Sequence, residues 1–162
     1  MQPAMWQQHH VVQVVQALLN LHQFSIIPQQ RFLPRRWSLN QAERPNPLAN
    51  SSIPEAWVFC HGDVQSDHLF WQDQTLVGVI DWECAGWMER HYAVLHAALS
   101  IATHQQTFDL NLCCAVIKTY HHQHPLQSAL FEQAFYDVLV QWRTWTRCVH
   151  QHALNHASHG FR

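Results

Sequence analysis

Short apolar runs between residues 57 and 82 constrain the fold of this chain more than any other feature. Residues 57–60 (WVFC), 68–71 (HLFW) and 75–82 (TLVGVIDW) are rich in β-branched and aromatic residues, and the turn residues 72–74 separate the last two. Runs of this length predict a small β-element that contains one hairpin. Because the stretches on either side have helical spacing, we predict a mainly helical α+β fold.

Helical periodicity covers both flanks of this β-element. An amphipathic helix is predicted over residues 6–24 from apolar positions at helical spacing, which are Val11, Val14, Val15, Leu18 and Leu21. Residues 25–55 hold five of the seven prolines and predict a long irregular connection. Residues 91–159 predict a helical subdomain, in which Pro125 is suited to a helix start.

The bulk properties predict one domain over residues 1–162, with a central segment at 57–83. A net charge of -2 and only 12% charged residues favour neither a nucleic-acid nor an anionic-membrane partner. No apolar run approaches the ~20 residues of a membrane span. Five cysteines without regular spacing or a signal peptide are typical of a reducing cytoplasm, so we expect a soluble, cytoplasmic protein with buried free thiols.

Two aspartates, Asp63 and Asp81, are candidates for a catalytic or metal-binding role. Asp63 follows a glycine in a turn between two strand-like runs, which predicts an exposed carboxylate held by rigid flanks. Asp81 closes an apolar strand, where a carboxylate contributes little to packing. The two could share a divalent metal, or divide the roles of base and metal ligand. Taken singly, each aspartate is better explained as a capping residue, Asp63 of a turn and Asp81 of the next helix.

Taken together, HGDVQSDH at 61–68 and IDWE at 80–83 resemble the aminoglycoside phosphotransferase and choline kinase-like superfamily, which is protein kinase-like. Its catalytic loop reads H-G-D-x-x-x-x-N, and its metal aspartate follows in an I-D-[WF] motif. The resemblance implies that Asp63 is the catalytic base, and that His68 and Asp81 hold Mg²⁺ on the phosphates of ATP or GTP. It also implies transfer of the γ-phosphoryl group to a hydroxyl of a small molecule.

The chain departs from the family pattern at two positions. His68 stands where the Asn is commonest, and imidazole is a less typical Mg²⁺ ligand than an amide oxygen. Macrolide phosphotransferase-like members also carry His at this position, so the change does not by itself imply inactivity, and the chain resembles that branch. Ala93 stands where the family has an aspartate that supports the catalytic loop, which implies a less firmly held site.

The nucleotide lobe that the resemblance implies has no counterpart in the residues before the motif. Such a lobe needs a Gly-rich hairpin and a strand lysine, but all four glycines lie at or beyond residue 62 and the single lysine is Lys118. We therefore expect the C-terminal lobe of a kinase-like fold with the N-terminal nucleotide lobe missing. The chain would be a fragment, a degenerate relative, or one part of an enzyme whose other lobe is a separate polypeptide.

The missing lobe affects the expected activity. Phosphoryl transfer depends chiefly on positioning and charge stabilisation, so we expect this chain alone to be weakly active or inactive. The alternative is a non-catalytic pseudokinase remnant that acts as a binding module, in which a bare apolar face would favour self-association.

Histidines cluster in the sequence at 9–10, at 121–124 and in the tail, mostly at positions predicted to be solvated. Three of the tail histidines have a helical spacing that could bind a metal: His152, His156 and His159. No carboxylate or cysteine completes the set. Solvated side chains are therefore the favoured interpretation of the tail.

Two further groups could contribute to ligand binding. Arg31, Arg35 and Arg36 could bind an anionic substrate, although a solvated loop tolerates such a cluster. Trp142 and Trp145 could line an acceptor pocket, although packing is the commoner use of aromatic residues at this spacing. Because the second half of the chain holds few carboxylates, a neutral or weakly charged hydroxyl compound is a better acceptor than a polycationic aminoglycoside.

Overall fold

The computed structural model describes residues 6–23, 57–104 and 107–140. Its helices are α1 (Gln8–His22), α2 (Arg90–Ala102), α3 (Leu110–Gln123) and α4, which is described over 128–140. Three antiparallel pairs of strands accompany them, namely β1 (Trp57–Cys60) with β4 (Gly86–Glu89), β2 (Leu69–Gln72) with β3 (Thr75–Val79), and β5 (Thr103–His104) with β6 (Thr107–Phe108). The mainly helical α+β prediction is confirmed for these residues. Within them, every helix is too short or too polar to cross a bilayer.

Helix α1 forms because its apolar residues lie on one face. A capping box closes its first turn, in which Nδ1 of His10 accepts from the backbone N–H of Gln7 at 3.0 Å. Its buried face is formed by Val11, Val14, Val15, Leu18 and Leu19. This face packs against α3 and shares the larger of two apolar cores with residues of α2, so the predicted amphipathic helix is present within the predicted range of 6–24.

The second core lies on the other side of α2. Strands β1 and β4 contribute Val58 and Met88, α2 contributes Leu95, and α4 contributes Ala134 and Val138. Helix α2 therefore separates the two cores and has ten buried residues among thirteen. Of the segment between β1 and α2, Val64, Leu69 and Trp71 belong to the larger core and Met88 belongs to the second core.

The β2–β3 hairpin has the turn that the sequence predicts. Asp73 and Gln74 both have positive φ, at 46° and 66°, as the two central residues of a type I′ turn do. The side chain of Gln13 on α1 accepts from the N–H of Leu76 at 2.8 Å and donates to the carbonyl of Gln74 at 3.0 Å. Helix α1 thus fixes the orientation of the hairpin.

Some elements differ from those predicted from the sequence. Strand β2 begins at Leu69 instead of residue 68, and β3 ends at Val79, two residues before Asp81. Strand β4 was not predicted and pairs with β1, with Cys60 opposite Gly86. The β5–β6 hairpin interrupts the predicted helical stretch, and α4 begins at 128, three residues after the proline.

A buried polar contact joins the end of α1 to α3. The hydroxyl of Tyr120 lies 2.7 Å from Nδ1 of His22, and Arg90 also hydrogen-bonds to that hydroxyl. A hydroxyl can accept from the guanidinium and still share a hydrogen bond with Nδ1 of His22, so the contact needs no charge on the imidazole. Burial, together with the positive charges of Arg90 and His124, lowers the pKa of His22 to about 3.

We expect acid to destabilise the fold, because the unfolded chain protonates His22 at pH values where the folded chain keeps it neutral. Between pH 7 and pH 5 the free energy of unfolding should fall by about 2 kcal/mol from this group. Urea unfolding at both pH values measures the loss. His22→Gln should reduce it, whereas the same loss in the variant would contradict this origin. Burial also lowers the pKa of His61 and His10, so part of the loss should remain.

Candidate active site

Gly62 brings the HGD loop, which we define as residues 61–68, against the turn that follows Asp81. Its φ of +79° is rarely adopted by residues with a side chain. A Cβ added at this position would lie 2.0 Å from the carbonyl oxygen of Cys84, in the 3₁₀ turn Trp82–Cys84. Only glycine permits this approach of two backbone segments.

His61 connects the HGD loop to the residue before Asp81. Its ring is fully buried, and its Nε2–H donates to the carbonyl of Ile80 at 2.8 Å. Nδ1 has no hydrogen-bond partner among the described residues, and burial lowers the pKa of the imidazole. In return, the N–H of Ile80 donates to the carbonyl of His68 at 3.0 Å. Both ends of the HGD loop are therefore bonded to one residue.

His68 and Asp81 meet at the surface of this assembly. Nδ1 of His68 lies 2.7 Å from the backbone carbonyl of Asp63, and Nε2 lies 3.3 Å from Oδ2 of Asp81. Since a carbonyl oxygen only accepts, the proton is on Nδ1 when the ring is neutral, and the lone pair of Nε2 faces the carboxylate. Such an arrangement is favourable when a proton or a metal cation lies between the two atoms.

The backbone of Asp81 has an unusual conformation, and its carboxylate lies beside His68. The residue adopts a left-handed conformation, with φ 65° and ψ 59°, which Asp tolerates better than most residues. It stands at the N-cap position of the Trp82–Cys84 turn, but its side chain makes no capping hydrogen bond among the described residues. The capping role that the sequence allowed is therefore not what this side chain does. At 43% exposure, the carboxylate is accessible to a ligand.

Asp63 is buried, in contrast to the exposed carboxylate that the sequence predicted. The residue is 8% exposed, and its Oδ1 accepts from Nε2 of Gln65 at 3.0 Å. It lies beside a small cleft between α1 and α2, to which His22 and Ala93 also contribute. The prediction failed because the turn after β1 folds back against two helices instead of projecting into solvent.

Ala93 lies at the back of the HGD loop. It is buried on the first turn of α2 and lines the cleft together with Gly62 and Asp63. Its methyl group contributes no acceptor to the loop. In the described residues, the loop is instead held through the contacts of His61, His68 and Gln65.

Within the described residues, no cluster of three or more His, Cys, Asp or Glu side chains could hold a metal ion. The site thus offers two protein donors, Nε2 of His68 and Oδ2 of Asp81. An ion bound there would need further ligands from a substrate or from water, as is usual for Mg²⁺ in nucleotide sites.

Sequence reasoning assigned no role to three residues of the site: Gly62, His61 and Gln65. The positive φ of Gly62 and the contact of His61 with Ile80 depend on packing between distant segments, which no local pattern reveals. The remaining candidates are outside the described residues: Arg31, Arg35, Arg36, Trp142, Trp145, His152, His156 and His159.

A sequence model of the phosphotransferase enzyme family matches residues 28–113. The match includes the HGD loop, the β2–β3 hairpin, Asp81 and the whole of α2. No curated protein matches the chain.

Gly62→Ala should destabilise the protein by about 2 kcal/mol or more, because the left-handed conformation and the carbonyl of Cys84 both oppose a methyl group. Denaturant unfolding measures the loss. Gly78→Ala is the matched control, since a Cβ there would meet the Cβ of Phe70 at an ordinary 3.9 Å. Equal stability of the two variants would contradict the close approach of Gly62 to Cys84.

Proposed function

Because the chain belongs to the phosphotransferase enzyme family, we propose that its reaction is transfer of the γ-phosphoryl group of ATP, or of GTP, to a hydroxyl of a small molecule. One observation carries this proposal: Nε2 of His68 lies 3.3 Å from Oδ2 of Asp81. His68 belongs to the HGD loop, which also contains Asp63. Phosphoryl transfer needs these two elements, a site for a metal–phosphate complex and a carboxylate for the acceptor proton.

The donors of His68 and Asp81 fit a divalent cation. The hydrogen bond to the carbonyl of Asp63 directs the lone pair of His68 Nε2 to the carboxylate, so a cation between them removes the repulsion. The resemblance implies Mg²⁺ at this position, and phosphate oxygens and water would complete the coordination of any divalent ion bound there. When bound, it neutralises charge on the transferring phosphoryl group.

Asp63 is the proposed base. Its carboxylate accepts the proton of the acceptor hydroxyl while the hydroxyl oxygen bonds to the γ-phosphorus and the bond to the β–γ bridging oxygen breaks, which releases the nucleoside diphosphate. The hydrogen bond from Gln65 holds one carboxylate oxygen at 3.0 Å. Burial of Asp63 at 8% exposure keeps competing water away from the base.

We further propose that these residues correspond to the C-terminal lobe of a kinase-like fold and act with a nucleotide lobe, for which a separate polypeptide is the arrangement tested below. Four large apolar side chains are exposed on or directly after the β2–β3 hairpin: Phe70, Val77, Ile80 and Trp82. Exposed apolar side chains of this kind support a partner lobe, or self-association. His68 supports the macrolide phosphotransferase-like branch. The small number of carboxylates in the second half of the chain supports a neutral or weakly charged hydroxyl compound as acceptor.

Calorimetric titration with Mg²⁺-ATP separates the roles of the two aspartates. We expect Asp81→Asn to weaken binding by about tenfold or more, because a ligand of the metal is lost. Asp63→Asn should bind Mg²⁺-ATP about as well as the unmodified chain, because that carboxylate acts on the acceptor. A folded protein that binds no Mg²⁺-ATP, even when a separately expressed nucleotide lobe of this family is added, would refute the phosphotransferase proposal and favour the non-catalytic binding module.

We expect the 162-residue chain alone to turn over ATP slowly or not at all, since Lys118, its single lysine, is not positioned before the HGD loop. The measurement is ADP release with and without a separately expressed nucleotide lobe from a phosphotransferase of this family. Stimulation that disappears in Asp63→Asn would support a two-polypeptide enzyme. Fast turnover by the chain alone would contradict the need for a second lobe.

A further inference from the structure

We propose that the His68–Asp81 pair selects a first-row transition metal ion, with Mn²⁺ preferred over Mg²⁺ as the ion that accompanies the nucleotide phosphates. This inference rests on the proposed function of the same site and specifies its metal. It follows from the orientation of one imidazole, the separation of two donor atoms and the number of protein ligands.

The orientation of His68 is that of a metal ligand. Metal-binding histidines usually donate the second ring N–H to a carboxylate or a backbone carbonyl, which fixes the tautomer. Here Nδ1–H donates to the carbonyl of Asp63 at 2.7 Å and presents the lone pair of Nε2 outwards. The side chain is only 15% exposed, so the surrounding residues restrict its rotation.

The separation of the donors suits one ion. Nε2 of His68 and Oδ2 of Asp81 are 3.3 Å apart. Adjacent ligands of an octahedral ion, each about 2.1 Å from the metal, are about 3 Å apart. An ion could therefore contact both atoms after a shift of a few tenths of an ångström, which the exposed side chain of Asp81 can supply.

The chemistry of the donors decides which ion is preferred. Mg²⁺ favours oxygen ligands, whereas an imidazole nitrogen raises affinity for first-row transition metals relative to Mg²⁺. With no third protein ligand among the described residues, phosphate oxygens and water complete the coordination. Oxygen-rich octahedral sites suit Mn²⁺ as well as Mg²⁺, while Zn²⁺ is usually held by more nitrogen or sulfur ligands. One nitrogen in an otherwise oxygen-based site thus favours Mn²⁺.

Pulsed electron paramagnetic resonance of the Mn²⁺-loaded protein tests the proposal without relying on activity. Inorganic tripolyphosphate serves as the second ligand, since it supplies phosphate oxygens and contains no nitrogen. We expect a ¹⁴N coupling to Mn²⁺ in the unmodified chain and its loss in His68→Asn, together with a weakening of Mn²⁺ binding by about tenfold. His122→Asn, an exposed histidine on α3, is the matched control and should keep the coupling.

Competition by Mg²⁺ completes the test. Displacement of Mn²⁺ should require about tenfold more Mg²⁺ in the unmodified chain than in His68→Asn. If Mn²⁺ and Mg²⁺ both bind with tripolyphosphate but the ¹⁴N coupling is missing or survives His68→Asn, the metal preference is overturned and the phosphotransferase site stands. If the folded chain binds neither ion, or if Asp81→Asn binds both unchanged, the proposed site itself is overturned.

Discussion

The close approach of Gly62 to the carbonyl of Cys84 is the constraint on which the candidate site depends. It allows the HGD loop to lie directly on the turn after Asp81, with no side chain between the two backbones. Only at that separation can His61 reach the carbonyl of Ile80, and only then can His68 face Asp81. The chemistry of the site thus follows from one residue that carries no functional group.

Local sequence patterns predicted much of the fold. The face of α1 was predicted from its apolar spacing except at its end, where Leu19 is buried and Leu21 is only partly buried. The β2–β3 hairpin was predicted from two short runs around Asp73 and Gln74. Strand β4 is four residues long, and its residue Gly86 pairs with Cys60, 26 positions earlier, so its pairing depends on tertiary packing. For the same reason the motif identified Asp63, His68 and Asp81 as candidates but predicted neither the burial of Asp63 nor the tether from His61.

Histidines serve this fold as neutral hydrogen-bonding groups more than the sequence suggested. The histidines at 121, 122 and 124 are solvated as predicted, but His10, His22, His61 and His91 are buried. His91 donates from Nδ1 to Glu89 at 2.5 Å and accepts at Nε2 from the N–H of Gln127, which connects the start of α2 to the start of α4. A high histidine content can therefore indicate that neutral imidazoles form hydrogen bonds in the interior of the protein.

The distribution of burial in the site has an evolutionary consequence. His61 and Gly62 are buried, and both are needed for the HGD loop to pack against the turn after Asp81. The carboxylate of Asp81 is 43% exposed and supports no part of the core. Mutation in a lineage released from selection for phosphoryl transfer would therefore remove Asp81 early and leave His-Gly intact, because only the latter is tied to folding. Among descendants of such a chain, an aspartate at position 81 would indicate that phosphoryl transfer was retained. The His-Gly pair would indicate only common ancestry.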